Sequence, residues 1–139
     1  MAVSRNMPIL IVDDYKTMLR IVRNLLKQIG FENFDEATDG SAALTKLRDK
    51  DYQLIISDWN MEPMTGLQLL KEVCNDSKLQ TMPFIMITAE SKPDNVIEVR
   101  KAGVNNYIVK PFNAETLRAK LAAVLAAQAP GGVSRQRLL

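Results

Sequence analysis

Short apolar runs alternating with helix-length segments constrain this chain more than any other feature. Pro8 to Val12, Leu54 to Ile56 and Pro83 to Thr88 are nearly continuous in apolar residues. They are short, and they lack the polar–apolar alternation of a strand with one wet face. Such runs read as strands buried on both faces. Phe31 to Ala37 is a more polar strand suited to a sheet edge, and Asn106 to Val109 is a short fifth. Between them the period changes to that of a helix. Met18, Ile21, Val22, Leu25, Leu26 and Ile29 share one helical face, Arg20, Arg23 and Lys27 take the wet side, and Gly30 ends the helix.

The later helices follow the same logic. Asp39 or Ser41 caps the second, with Ala43, Leu44 and Leu47 inward, and the third follows Gly66 with Leu67, Leu70 and Cys74. Asn75 to Met82 reads as a loop. A fourth helix is expected over Ser91 to Ala102, with Ser91 or Lys92 at its cap, Pro93 in its first turn and Gly103 at its end. Asn113 caps a fifth, whose Leu117, Leu121, Val124 and Leu125 repeat at helical spacing. Strands alternating with helices across short connections imply a parallel sheet covered on both faces. Right-handed crossovers then give a doubly wound five-stranded α/β sheet of order 2-1-3-4-5 with five helices. The 139 residues suit one domain, 1–127, followed by a tail, 128–139, whose Pro130-Gly131-Gly132 has no periodicity and is expected to fray.

Composition removes several classes of function. Eighteen basic and sixteen acidic residues leave a net charge of +2, too balanced to argue for nucleic acid or an anionic membrane. No run approaches the ~20 apolar residues of a membrane span, and residues 1–7 lack the apolar core of a secretory signal. The single cysteine, Cys74, excludes an internal disulfide and fits a cytoplasmic setting. With no histidine, His-based triads, His metal sites and a phosphohistidine on this chain are all excluded.

The expected topology sets strands 1 and 3 side by side at the switch point, where open α/β sheets bind ligands. Their carboxyl ends bring Asp13, Asp14 and Asp58 together, with Thr88 and Lys110 arriving from strands 4 and 5. Singly, each has a plainer role: a helix cap, a strand residue, a surface charge. Three carboxylates in one crevice do not ionise comfortably without a cation. Hard oxygen donors without His or Cys point to Mg²⁺. Lys110 supplies a fixed positive charge and Thr88 a hydroxyl donor. The set describes a pocket for a phosphoryl group on, or approaching, a carboxylate nucleophile.

Val12-Asp13-Asp14, Asp58-Trp59-Asn60-Met61, Thr88-Ala89-Glu90, Tyr107 and Lys110-Pro111-Phe112 occur in that order. Over about residues 7 to 127 the chain resembles the receiver domains of bacterial two-component signalling, and among them the single-domain chemotaxis regulators. The resemblance implies a flavodoxin-like fold in which Asp58 accepts phosphoryl from a sensor histidine kinase or a histidine phosphotransfer protein. It implies Mg²⁺ bound directly by Asp14 and through water by Asp13, with Asp58 and the Asn60 backbone carbonyl as further ligands. Thr88 and Lys110 would contact the phosphoryl oxygens, and Asn60 and Glu90 would tune its lifetime. Thr88 and Tyr107 would form a switch that alters the surface of the fourth helix, fifth strand and fifth helix. The implied output is a partner protein, the flagellar motor switch first, and the chain is expected to act as a monomer.

Two departures matter. Similar receivers read Met-Pro just after the phosphoacceptor segment, whereas here the order is Met61-Glu62-Pro63, which moves the stiff point of the turn and adds a carboxylate. Lys110-Pro111 resembles the family's cis peptide. Other outputs stay open: a phosphate sink, a relay intermediate or a regulator of a cell-cycle kinase. An aspartate-nucleophile phosphatase would need a second Asp two places after the first-strand nucleophile, where Tyr15 stands. A nucleotide or flavin binder would need a Gly-rich loop that the chain lacks.

Overall fold

The computed structural model describes residues 6–59, 61, 64–88, 106–109 and 112–127. Five strands, β1 (Ile9–Val12), β2 (Phe34–Ala37), β3 (Leu54–Asp58), β4 (Phe84–Thr88) and β5 (Asn106–Val109), form one sheet of order β2-β1-β3-β4-β5. Every neighbouring pair is parallel. Four helices lie among the described residues: α1 (Lys16–Ile29), α2 (Gly40–Asp49), α3 (Gly66–Asn75) and α4 (Ala114–Ala127). The helix expected over 91–102, the Lys110-Pro111 peptide and the 128–139 tail lie outside the described residues.

Side-chain alternation along the strands divides the core into two apolar layers. Leu10, Val12, Ile55, Phe84 and Met86 face α2 and α3. Ile9, Ile11, Leu54, Ile56, Ile85, Ile87 and Ile108 face α1 and α4. A sheet covered on both faces is why its strands read as continuous apolar runs rather than alternating ones. The β2 edge is the exception: Phe34, Asp35 and Glu36 are all only partly buried.

Two expectations change in detail. The buried stripe of α1 is Leu19, Val22 and Leu26, while Met18, Leu25 and Ile29 are partly buried and Ile21 is 43% exposed. Ile21 lies ~100° around the helix from Val22, so it falls on the wet shoulder. The second strand starts at Phe34, not Phe31. Phe31 belongs instead to the end of α1, its N–H bonding Leu26 O at 3.0 Å, beyond Gly30 at φ 122°. That left-handed turn ends the helix, and only glycine adopts it without steric cost.

The other local signals act as read. Asp39 caps α2, accepting from the Ala42 N–H at 2.7 Å, and Asn113 caps α4, accepting from the Thr116 N–H at 2.8 Å. Ala43, Leu44 and Leu47 are buried on α2, as are Leu117, Leu121 and Val124 on α4. On α3 a third expectation changes: Leu69 and Val73 join Leu67 and Leu70 as the buried residues, while Cys74, expected inward with them, is only half-buried.

Candidate functional site

The register decides what meets at the carboxyl edge. β1 and β3 pair Ile9 with Leu54 through Val12 with Ser57. One further step sets Asp13 beside Asp58, on strands ~4.8 Å apart. The β1–β2 ladder also runs on to this point, since the Asp13 N–H bonds Ala37 O at 3.1 Å. Asp13 and Asp58 are each only 3% exposed, and Oδ1 of Asp58 is sealed from solvent. Both are therefore acids at the end of an apolar strand, where a charged carboxylate is costly without compensation.

Local geometry separates the three carboxylates expected here. Asp13 Oδ1 accepts the Tyr15 N–H at 3.0 Å, which pins the turn into α1. Asp14, between them in sequence, is exposed. Two acids are thus drawn inward and the third stays at the water boundary. Among the described residues no three His, Cys, Asp or Glu side chains form a ready-made metal cage. The donor set nevertheless fits a hard cation that takes one or two carboxylates and completes its shell with water.

Neighbouring strands frame the edge. Thr88 ends β4, in register with Val109 of β5, so it reaches the same edge as Asp58, which is paired with Ile87. The Thr88 side chain, Lys110, Asn60, Glu62, Pro63 and Glu90 lie outside the described residues. Tyr107 sits mid-way along β5, half-buried against the α2–α3 layer, with Lys120 Nζ of α4 5.2 Å above its ring. Trp59, directly after Asp58, packs against that same layer, so its indole is placed to report on the site.

Three features went unread in the sequence. Thr65 and Gln68 form a reciprocal capping box at the start of α3, at 3.1 and 2.8 Å; the Thr-x-x-Gln spacing was the available signal. Gly66 and Gly40 are sites of close approach. A Cβ on Gly66 would overlap the Asp58 carbonyl oxygen, and one on Gly40 would overlap the Met64 side chain. Ser57, a lone hydroxyl in an apolar run, is fully buried and donates to Asp58 O at 3.0 Å.

A family model described as the response regulator receiver domain matches residues 9–122. The chemotaxis protein CheY-3 of Vibrio cholerae is 52% identical over 118 residues, covering 85% of this chain and 91% of the relative. The chemotaxis protein CheY of Pseudomonas aeruginosa is 50% identical over 115 residues, covering 83% and 93%. Among solved structures, V. cholerae chemotaxis protein CheY4 superposes with a TM-score of 0.79 at 35% identity, covering 86% of this chain and 98% of that one.

Proposed function

Because the chain belongs to the response regulator receiver family, we propose that Asp58 accepts a phosphoryl group from the phosphohistidine of a histidine kinase or histidine phosphotransfer protein. The observation that carries this is the register that ends β1 and β3 together, with Asp13 and Asp58 both buried at the sheet's carboxyl edge. An Asp58 carboxylate oxygen attacks phosphorus in line as the phosphorus–nitrogen bond breaks, and the imidazole leaves with the electron pair. Burial keeps water from competing with that oxygen. Asp13, Asp14, Asp58 and the Asn60 carbonyl are the residues suited to hold Mg²⁺, which when bound would offset repulsion between carboxylate and phosphoryl oxygens. Thr88 and Lys110 are assigned to the phosphoryl oxygens as donor and counter-charge, with Asn60 and Glu90 as tuners.

The output is assigned to the surface around β5 and α4. Phosphorylation leaves about −1.5 to −2 of charge on the phosphoryl oxygens where the carboxylate carried a single negative charge, and the Thr88–Tyr107 pair shifts between two packings in response. The half-buried position of Tyr107 supports this, since a residue between core and water changes exposure with little rearrangement. The chemotaxis relatives favour a cytoplasmic, monomeric regulator of the flagellar motor switch. Residues 1–127 are assigned to the receiver and 128–139 to a tail.

Intact-mass analysis with acetyl phosphate and Mg²⁺ tests the chemistry: an added HPO₃ on native protein, absent in Asp58→Asn, is expected. Trp59 fluorescence follows both steps, with a Mg²⁺ response in both proteins and a donor response in the native one alone. An adduct on another side chain ends the proposal. Tyr107→Ala should still be phosphorylated while binding a downstream partner more weakly.

A further inference from the structure

Ser57 is a fully buried hydroxyl in a strand otherwise built of Leu and Ile before the acid. Its register neighbours are Val12 and Met86, both in the apolar layer under α2 and α3. An alanine would suit that position without any polar group to satisfy. The hydroxyl instead donates to the main-chain carbonyl of Asp58 at 3.0 Å.

That same carbonyl is where α3 lands. A Cβ on Gly66 would overlap Asp58 O, and would meet Met86 Sδ at 2.8 Å and Trp59 Cα at 2.9 Å. Gly30 alone has positive φ among the described residues, so Gly66 is demanded by space and not by backbone conformation. Its N–H bonds Trp59 O at 2.8 Å, and the Trp59 N–H bonds Ile87 O at 2.8 Å. The peptide linking Asp58 to Trp59 is therefore held by a core hydroxyl and by β4 and lies packed against Gly66, which bonds the carbonyl of the following peptide. The Thr65–Gln68 box fixes that helix end in turn.

We propose that Ser57 and Gly66 are positioning residues: they fix the Asp58 main chain so that its carboxylate stands in line for attack. The inference rests on the reading of Asp58 as phosphoacceptor and assigns part of its reactivity to two residues that touch neither phosphoryl group nor cation. A 1 Å misplacement is enough to cost about 10²-fold in rate.

The test compares native protein with Ser57→Ala, Gly66→Ala and a core control in the other layer, Leu26→Ala. Two quantities are read: hydrogen exchange of the Trp59 and Gly66 amides without cation or donor, and the rate of adduct formation at Asp58 with acetyl phosphate at saturating Mg²⁺. Gly66→Ala should slow labelling by roughly 100-fold, and Ser57→Ala, short of one hydrogen bond, by about 5- to 10-fold. Both should speed exchange at Trp59. Leu26→Ala should lower the melting temperature while leaving rate and Trp59 exchange unchanged at temperatures where it is folded. Native-like labelling and exchange in Ser57→Ala and Gly66→Ala overturn the inference, as does an equal slowing in Leu26→Ala. If native protein is never labelled at Asp58, the phosphoacceptor reading has failed, and the exchange data still decide whether these residues hold the peptide.

Discussion

Asp35 and Asp58 are aspartates of one sheet, on strands separated by β1, and their surroundings differ. Asp35, on the β2 edge, accepts the Tyr52 hydroxyl and Lys50 Nζ, the latter at 2.9 Å. Lys50 also lies 5.3 Å above the Tyr52 ring. The Tyr52 hydrogen bond, then the Lys50 ammonium, hold the Asp35 carboxyl below its usual range. Burial first, and the Asp35 carboxylate second, push the Tyr52 phenol above its ordinary value. Charge, donor and ring satisfy one another, so this acid stabilises the fold. Asp58 stands almost wholly buried at the end of an apolar strand, beside the strand end of another acid. Carboxylates brought to neighbouring strand ends repel one another, and a bound cation offsets that repulsion.

The contrast breaks most sharply on covalent labelling. Asp58→Asn should abolish the phosphoryl adduct, and Asp35→Asn should leave its rate within about twofold of native, since Asp35 touches no part of the edge where the bond forms. Comparable loss in both variants would erase the distinction between the two regions.

Stability should move in opposite directions. In metal-free buffer Asp58→Asn relieves like-charge repulsion and should raise the urea midpoint by the equivalent of ~1 kcal/mol. Asp35→Asn and Tyr52→Phe each weaken a charge-assisted hydrogen bond at a partly exposed site and should lower it by about 1 kcal/mol. A shift of one sign in all three variants would contradict the account.

Cation linkage sharpens the difference further. At Mg²⁺ tenfold above its dissociation constant, native protein and Asp35→Asn should each gain about 1.4 kcal/mol in thermal or urea unfolding. Asp58→Asn should gain less, having lost one donor, and equal gains would remove Asp58 from the ligand set.

The smallest effect is in pH. The Asp35 carboxyl is depressed in the folded state, so its contribution is present above the ordinary value of 3.8 and is lost as pH falls through the lowered folded value. The Tyr52 phenol is raised, so its contribution is whole below 10.0 and is lost as pH rises beyond that towards the higher folded value. Tyr52→Phe should flatten the alkaline limb of a stability–pH curve and leave Asp58 labelling at neutral pH untouched.

Periodicity along the chain is enough to define the strands and helices of this protein. Continuous apolar runs such as Ile9–Val12 and Phe84–Thr88 are legible because a strand buried on both faces has no polar position to hide. Asp39, Asn113 and Gly30 act through neighbours within a few residues, so their roles are written locally. The strand order followed from alternation and crossover handedness, and it named Asp13, Asp14 and Asp58 as an edge. Which acids go inward depends on packing between distant segments. Asp13 is buried and Asp14 exposed because of a register and a turn hydrogen bond to Tyr15, and adjacent residues of one type carry no mark of that difference. Nor could a sequence show that Gly66 is a landing place for the Asp58 carbonyl, or that Ile21 falls outside the stripe of Leu19, Val22 and Leu26. Those facts depend on how far apart two elements come to rest, and close packing between distant segments fixes that distance in tenths of an ångström.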